Sequence, residues 1–270
     1  MSNETTLVIG GSGKTGRRVI GRLAARDVPV RAASRSSAPR FDWNDPATWE
    51  PALRGASAAY ISYYPDLAAP GAADAIGELS ELAVRSGVRR LVLLSGRGEE
   101  EAQRAEAALQ RSGADWTVVR CSWFAQNFSE GAFAEAIAAG ELALPVDAVG
   151  EPFVDAEDIA DVAVKALTED GHAGQVYELT GPRLLTFEEA VGEIAAASGR
   201  EVRFARIGFE EFAGEMAALG VPGDEIELLR FLFTEVLDGR NEYVTDGVQR
   251  ALGREPTDFR EYARRAWRQR

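Results

Sequence analysis

Along the first half of the chain, short apolar runs alternate with amphipathic stretches. Thr5–Ile9 is apolar and stops at glycine. Residues 15–26 then place Val19, Ile20 and Leu23 on one stripe, with Arg17, Arg18 and Arg22 on the other. The apolar pattern returns at 28–33, 58–63, 90–94 and 116–119, with helical periodicity over 72–86 and 99–111 between. Residues 41–43 read as a further short strand. A helix follows to about residue 53, with Asp45 as a candidate N-cap and Pro46 at its first position. This strict alternation predicts a parallel sheet covered by helices on both faces, a doubly wound α/β fold.

After Arg120 the rhythm breaks. Residues 124–139 and 155–167 read as helices, 141–144 as a short extended piece, and 175–179 as one more strand of the sheet. A helix over 186–198 opens on Thr186 with Glu189 three residues later, the spacing of a capping box. The remainder is mostly helical. The pattern divides the chain into a sheet domain, 1–150 with 175–179 added. A smaller, mostly helical lobe, 151–270, also receives parts of 123–145 and is expected over the ends of the strands.

The junction between the first strand and the first helix carries the strongest chemical signal. Gly10, Gly13 and Gly16 stand at G-x-x-G-x-x-G spacing. Glycine lets the backbone turn sharply and approach a pyrophosphate, whose charge is met by the amides and dipole of the following helix. A dinucleotide is therefore expected on this loop. Sites that read an unmodified ribose carry Asp or Glu at the end of the second strand. Here Ser34 and Arg35 stand there, and an arginine fork matches a 2′-phosphate. The expectation is NADP(H), with Arg31 and Lys14 adding charge. Asp42 is either an adenine neighbour or a loop-capping residue.

Proton chemistry is harder to place. The Tyr-x-x-x-Lys dyad of ordinary short-chain dehydrogenases is absent: the two lysines are Lys14 and Lys165, and four residues before them stand Gly10 and Asp161. Candidate donors sit at the strand ends, where a ligand binds in such a sheet. They are Ser95 after one strand, and Tyr63 or Tyr64, beside Ser62, after another. Each has a plain alternative reading, as a turn residue for Ser95 and as apolar walls for the tyrosines.

Composition narrows the rest. The formal net charge of −13 argues against nucleic acid and anionic membranes as partners and leaves a small-molecule substrate. Cys121, the one cysteine, excludes an internal disulfide and reads as a buried thiol. His172, the one histidine, reads as a solvated loop residue, so no metal site and no Ser-His-Asp hydrolysis are expected. The acidic run at 99–101 reads as a solvated helix start. The polar residues 1–5 show no signal-peptide pattern and no apolar run reaches membrane-span length, which predicts a soluble, cytoplasmic protein. Oligomeric state is open at this level.

Several segments together resemble one family. They are Val8-Ile-Gly-Gly-Ser-Gly-Lys-Thr-Gly16, Val30-Arg-Ala-Ala-Ser-Arg35 and Leu91-Val-Leu-Leu-Ser-Gly96. Residues 111–128, 155–163 and 179–182 extend the likeness, and 111–128 is similar to an S-G-x-x-W-T-x-x-R-P-x-x-F-x-x-N-F signature. The family is that of the NmrA-like, atypical short-chain dehydrogenases/reductases. The resemblance implies a Rossmann domain in which Gly10, Ser12, Gly13, Lys14 and Thr15, with Gly16, line the pyrophosphate. It places Arg35 on the 2′-phosphate. It puts residues 62–64, 95–97 and 121–124, among them Ser62, Ser95, Gly96 and Cys121, around the nicotinamide. Trp123, Phe124, Asn127 and Phe128 would wall a substrate pocket. Many members have Pro at the place of Cys121, and many reductase-type members have His at the place of Ala102, so a donor from that position is lost. The expected function is an NADPH-dependent reductase of a conjugated or aromatic acceptor: a quinone, an iminium or a natural-product ketone. The alternative is a non-catalytic NADP(H)-binding sensor acting through a protein partner.

Overall fold

The structure, a computed structural model, describes residues 5–268, so the polar N-terminal start noted above lies largely outside the described residues. The chain divides into two units. The first holds the chain up to Cys121, Ala156–Leu179 and Asp246–Arg254. Its strands are β1 (Thr5–Ile9), β2 (Val30–Ala33), β3 (Ala56–Ile61), β4 (Arg90–Gly96), β5 (Asp115–Cys121) and β7 (Gln175–Leu179). They form one parallel sheet in the order β2-β1-β3-β4-β5-β7. Its helices are α1 (Gly16–Ala24), α2 (Trp49–Leu53), α3 (Ala72–Arg85), α4 (Glu100–Gln110), α6 (Ala156–Thr168) and α10 (Gly247–Leu252).

The period-two alternation of each strand sends residues to two faces. Leu7, Ile9, Ile61, Leu91 and Leu93 join Leu53, Ile76, Leu79 and Leu109 of α2, α3 and α4 in one core. Val8, Tyr60, Val92 and Val119, also fully buried, alternate with them and belong to the opposite face. There α1 packs on α6. Arg18 meets Glu157 at 2.7 Å, and Arg22 meets Glu157 at 2.6 Å and Asp161 at 2.5 Å. Arg254 meets Asp158 at 2.7 Å. These contacts draw 156–168 into the sheet unit, whereas the sequence pattern assigned it to the helical lobe.

The second unit holds Ser122–Asp155, Thr180–Thr245 and the chain from Glu255. It contains α5 (Ala132–Ala139), β6 (Glu141–Leu144), α7 (Phe187–Ser198), β8 (Arg203–Arg206), α8 (Phe209–Ala218), α9 (Gly223–Phe231) and α11 (Phe259–Trp267). Its core is aromatic, built on Phe128, Phe153, Phe187, Phe233 and Phe259. β6 and β8 pair in parallel as a second, two-stranded sheet, and β8 had no forecast in the pattern. The Thr186–Glu189 capping box is formed in both directions. The long helix read over 124–139 is divided: a 3₁₀ turn covers Ala125–Phe128, and Gly131 at φ +123° precedes α5.

Two local expectations fail for identifiable reasons. Residues 41–43 form no strand. Asp42 makes only an isolated bridge to Asp45, and its carbonyl accepts the Trp49 indole N–H at 2.8 Å. The aromatic side chains of Phe41, Trp43 and Trp49 pack together there, so the β propensity of the segment reflects burial. Asp45 makes no side-chain cap, although Pro46 does occupy the first position of the short helical turn.

Candidate functional site

The glycine loop joins β1 to α1 at the point where the sheet order reverses, between β1 and β3. In open α/β sheets this is the ligand crevice. Gly10 holds φ +75°, a left-handed conformation costly for any side chain. Its N–H donates to the Ala33 carbonyl at 3.1 Å, and its carbonyl accepts from the Gly13 N–H at 2.9 Å. A Cβ on Gly10 would stand 3.0 Å from the Cβ of Ser62, and one on Gly16 would collide with the Gly10 carbonyl. The loop is thus folded back onto its own helix start. Thr15 is pinned from below: the buried Tyr60 hydroxyl donates to its Oγ1 at 2.9 Å. The Lys14 carbonyl accepts from Arg18 at 2.7 Å. Ser12 and Gly13 are exposed. α1 has no acidic residue in its first turn and no side-chain cap. An N-terminus of this kind, without its own anion and beside a loop that excludes Cβ atoms, fits a diphosphate.

At the end of β2 stand Ser34 and Arg35, neither of them a carboxylate, and the Asp42 carboxylate lies near enough to feel the Arg35 charge. Ser34 is closed in a turn by Ser37, whose Oγ accepts its N–H at 2.8 Å. Arg35 is exposed, with its guanidinium carbon 5.4 Å from the centre of the Tyr64 ring. Arg31, expected to add charge here, is committed elsewhere. Its guanidinium donates to the Ala52 and Arg54 carbonyls at 3.0 and 2.8 Å, satisfying the C-terminal end of α2. Asp42 accepts from the Asn44 N–H at 3.1 Å and from Arg40 at 2.5 Å. The Asn44 N–H and the Arg40 guanidinium hold its carboxyl below the usual range. Its bonds are those of a loop-capping residue.

Beyond β3, Ser62 is half-buried against Gly10. The Tyr63 ring lies 4.7 Å from that of Trp43, and burial pushes its phenol pKa up, which makes it a weaker acid. Tyr64 is 59% exposed. Ser95 differs from the turn or substrate donor that its position suggested. It is buried and donates to Glu106 Oε1 at 2.6 Å. Glu106 also accepts Arg120 through Nε at 2.9 Å and through a terminal nitrogen at 2.5 Å. Arg120 reaches Glu178 at 3.3 Å, and Glu178 accepts Arg97 Nε at 2.8 Å. Ser95 therefore ends a partly buried chain of alternating charges, and its proton points into that chain.

Gly96 and Cys121 are register partners across β4 and β5. Cys121 is buried, and desolvation pushes its thiol pKa well up, so it stays protonated and inert. Glu99 itself overturns the reading of 99–101 as a solvated run. It is 7% exposed, and its carboxyl lies where a Cβ on Gly96 would be. Asp66, in the loop after β3, faces it. Burial and the Asp66 charge push the Glu99 carboxyl well above its usual range.

The residues expected to wall a substrate pocket belong to the second unit. Phe128 is fully buried between Phe153, Phe187 and Phe259, which makes it core. Trp123 is half-buried, edge-on to Phe187 at 5.6 Å. Phe124 and Asn127 are half-buried. His172 is not a solvated loop residue. It is buried, its Nδ1 pairs with the Tyr177 hydroxyl at 2.8 Å, and burial lowers its pKa. Among the described residues no cluster of His, Cys, Asp and Glu is arranged to hold a metal, and no helix is long and apolar enough to cross a membrane.

Sequence reasoning missed Glu106, Glu99 and Asp66. Glu106 carried a signal: with Ala102, Ala105 and Leu109 it occupies the i, i+3, i+4, i+7 stripe of α4, the buried face. Glu99 and Asp66 carried none, because their meeting is tertiary.

Known proteins place this arrangement. A model of the NAD(P)H-binding family matches residues 10–170. An uncharacterised oxidoreductase of Bacillus subtilis, YesF, is 32% identical over 97% of this chain and 95% of its own. An NAD(P)H azoreductase of Xenophilus azovorans is 30% identical over 96% of each chain. The crystal structure of a Citrobacter triphenylmethane reductase complexed with NADP(H) superposes with a TM-score of 0.80 at 21% identity. The match covers 97% of this chain and 99% of that one. With its glycine cradle and its parallel sheet, the chain belongs to the NAD(P)H-binding family.

Proposed function

We propose that the protein is an NADPH-dependent reductase that passes hydride to a flat, conjugated acceptor such as a quinone, an azo compound, an iminium or a natural-product ketone. The observation that carries the choice of cofactor is Arg35, exposed at the end of β2 in the place where a site that reads an unmodified ribose carries Asp or Glu; the nearby Asp42 carboxylate is held by the Asn44 N–H and by Arg40. NADPH supplies a hydride from C4 of its nicotinamide. The residues of this chain hold it. The Gly10 loop and the start of α1 receive the diphosphate, and Arg35, with Ser34 beside it, receives the 2′-phosphate. Ser62 and Gly96 stand at the strand ends where the nicotinamide of such a fold lies.

The names of the relatives support a reductase: one is an oxidoreductase and another an azoreductase. Quinones, azo compounds and iminiums suit a site without the Tyr-x-x-x-Lys dyad, since hydride at quinone oxygen, azo nitrogen or iminium carbon leaves a stabilised anion or a neutral amine rather than an alkoxide that a phenolate–lysine relay must protonate. The commitment of Ser95 to Glu106 favours one second reading, an NADP(H)-binding sensor that turns nothing over.

The experiment is a screen of NADPH oxidation against quinones, azo dyes, iminium compounds and polycyclic ketones, with cofactor affinity measured alongside. Turnover of any acceptor class with NADPH favoured over NADH supports the reductase. Tight NADPH binding with no turnover on any class supports the sensor.

A further inference from the structure

Two carboxyl groups meet at the carboxyl ends of β3 and β4, on the same edge of the sheet as the glycine loop. Asp66 lies in the loop after β3, and Glu99 stands directly before α4. Glu99 occupies the N-cap position of α4 but makes no cap hydrogen bond. Its side chain turns instead over Gly96, in space that only glycine leaves open. It is buried to 7% exposure, and its Oε2 is buried without a hydrogen-bond partner.

A carboxylate in such a place ordinarily keeps its charge by pairing with a cation. The neighbouring cations are engaged. Arg97 donates to Glu178 at 2.8 Å, Arg120 to Glu106, and Arg104 pairs with Glu100 and Glu101 at 3.0 Å. The other groups facing Glu99 are Asp66, Glu106 and the Cys121 thiol, none of them cationic. Two carboxylates have four acceptor oxygens and no donor, so Asp66 and Glu99, facing each other in a buried place with no free cation among the described residues between them, can hydrogen-bond only with a proton on one of them. The half-buried Asp66 accepts the Ala68 N–H at 2.8 Å, which favours charge on Asp66 and leaves the proton on the deeper Glu99.

We propose that Asp66 and Glu99 share one proton at neutral pH and that this pair is the acid of the reductase, giving its proton to the acceptor once hydride has been added. The delivery step rests on the function proposed above; the shared proton does not. For a quinone, hydride addition leaves a hydroquinone monoanion. The O–H bond of the pair breaks, its electrons remain on the carboxylate, and the proton bonds to the acceptor oxygen. Water restores the proton through Asp66, the more exposed member. An iminium carbon takes hydride and needs no proton there, so the pair would be idle with that class.

The sign of the pH effect follows from the position of the proton. The folded protein holds a proton that the unfolded chain releases at the ordinary carboxylate pKa, so between that pKa and the raised folded value the native state binds more protons. The pair's contribution to stability is therefore full at acid pH and is lost as pH rises through the raised folded pKa.

The test begins with the cofactor-free wild-type protein. Carboxyl-carbon NMR of Asp- and Glu-labelled protein should show one carboxyl still protonated at neutral pH. Thermal denaturation should show stability falling from mildly acid to mildly alkaline pH, and Glu99→Gln and Asp66→Asn should each flatten that fall. An ordinary titration of every carboxyl in the wild type would overturn the shared proton, whatever the protein catalyses. With the enzyme turning over, Glu99→Gln should lower kcat for a quinone about 100-fold, the scale of general acid catalysis, and leave kcat for an iminium unchanged. Equal effects on both acceptors, or no effect on the quinone, would overturn delivery. If the wild type reduces no quinone, the delivery step falls; if it reduces none of the acceptor classes screened above, the proposed function falls with it, and the NMR result still decides the proton.

Discussion

The glycine loop and the rim beyond β3 and β4 lie on one edge of one sheet, and they do opposite work with opposite materials. The loop presents backbone. Gly10, Gly13 and Gly16 remove side chains so that amides and a helix N-terminus meet an anion. The rim presents side chains that are buried or half-buried, most of them charged and bonded to one another. Ser95, Glu106, Arg120, Glu178 and Arg97 form a closed chain, and beside it Asp66 and Glu99 form a pair. Glycine serves both, at Gly16 by admitting a carbonyl and at Gly96 by admitting a carboxyl. A site of this kind separates holding from reacting. On the function proposed here, the part that holds an anion through backbone responds little to pH, and the carboxyl pair at the rim responds to it.

Breaking the rim should have the largest effect on the fold. Glu106 is 2% exposed and bonds both Ser95 and Arg120, so Glu106→Gln leaves a guanidinium with half its partners. Removing one partner of a buried pair costs about 3 kcal/mol, read as a lower midpoint in urea unfolding. The loop should tolerate change in the fold better than in binding. Gly16→Ala sets a Cβ against the Gly10 carbonyl, and about 3 kcal/mol of overpacking strain that the bound state cannot relieve corresponds to roughly 100-fold weaker NADPH binding. Calorimetric titration reads it. A smaller effect comes from under the loop. Tyr60→Phe removes one neutral hydrogen bond to Thr15, costing about 1 kcal/mol of stability and weakening cofactor binding only a few-fold. A Tyr60→Phe protein as damaged in binding as Gly16→Ala would mean that the loop is held by the tyrosine more than by glycine packing.

The two regions also differ in how much of them the sequence reveals. The loop is local: strand, glycines and helix are contiguous, and their spacing carries their chemistry. The same holds for the capping box at Thr186 and for the parallel sheet, whose alternation is periodic. The rim is assembled from β3, β4, α4, β5 and β7, which are distant in the chain, and only Glu106 announces itself, by sitting on an apolar stripe. Glu99 looked like the first of three surface acids. What buried it was the absence of a side chain at Gly96, a fact about space that spacing in sequence does not carry. His172 followed the same rule: a polar loop in sequence, a buried ring against Tyr177 in the structure. Arg31 and Arg35 are near neighbours on and just after β2, and only the carbonyls at the end of α2 distinguish them.

The central claim is that the loop and the end of β2 together select NADP(H). The direct measurement is the ratio of NADH to NADPH dissociation constants in the wild type and in Arg35→Ala. A charge-assisted contact of about 1.5 to 3 kcal/mol predicts NADPH binding weakened roughly 10- to 150-fold by the substitution, with NADH binding unchanged, so that the ratio collapses toward unity. A ratio that is the same in both proteins would contradict the account.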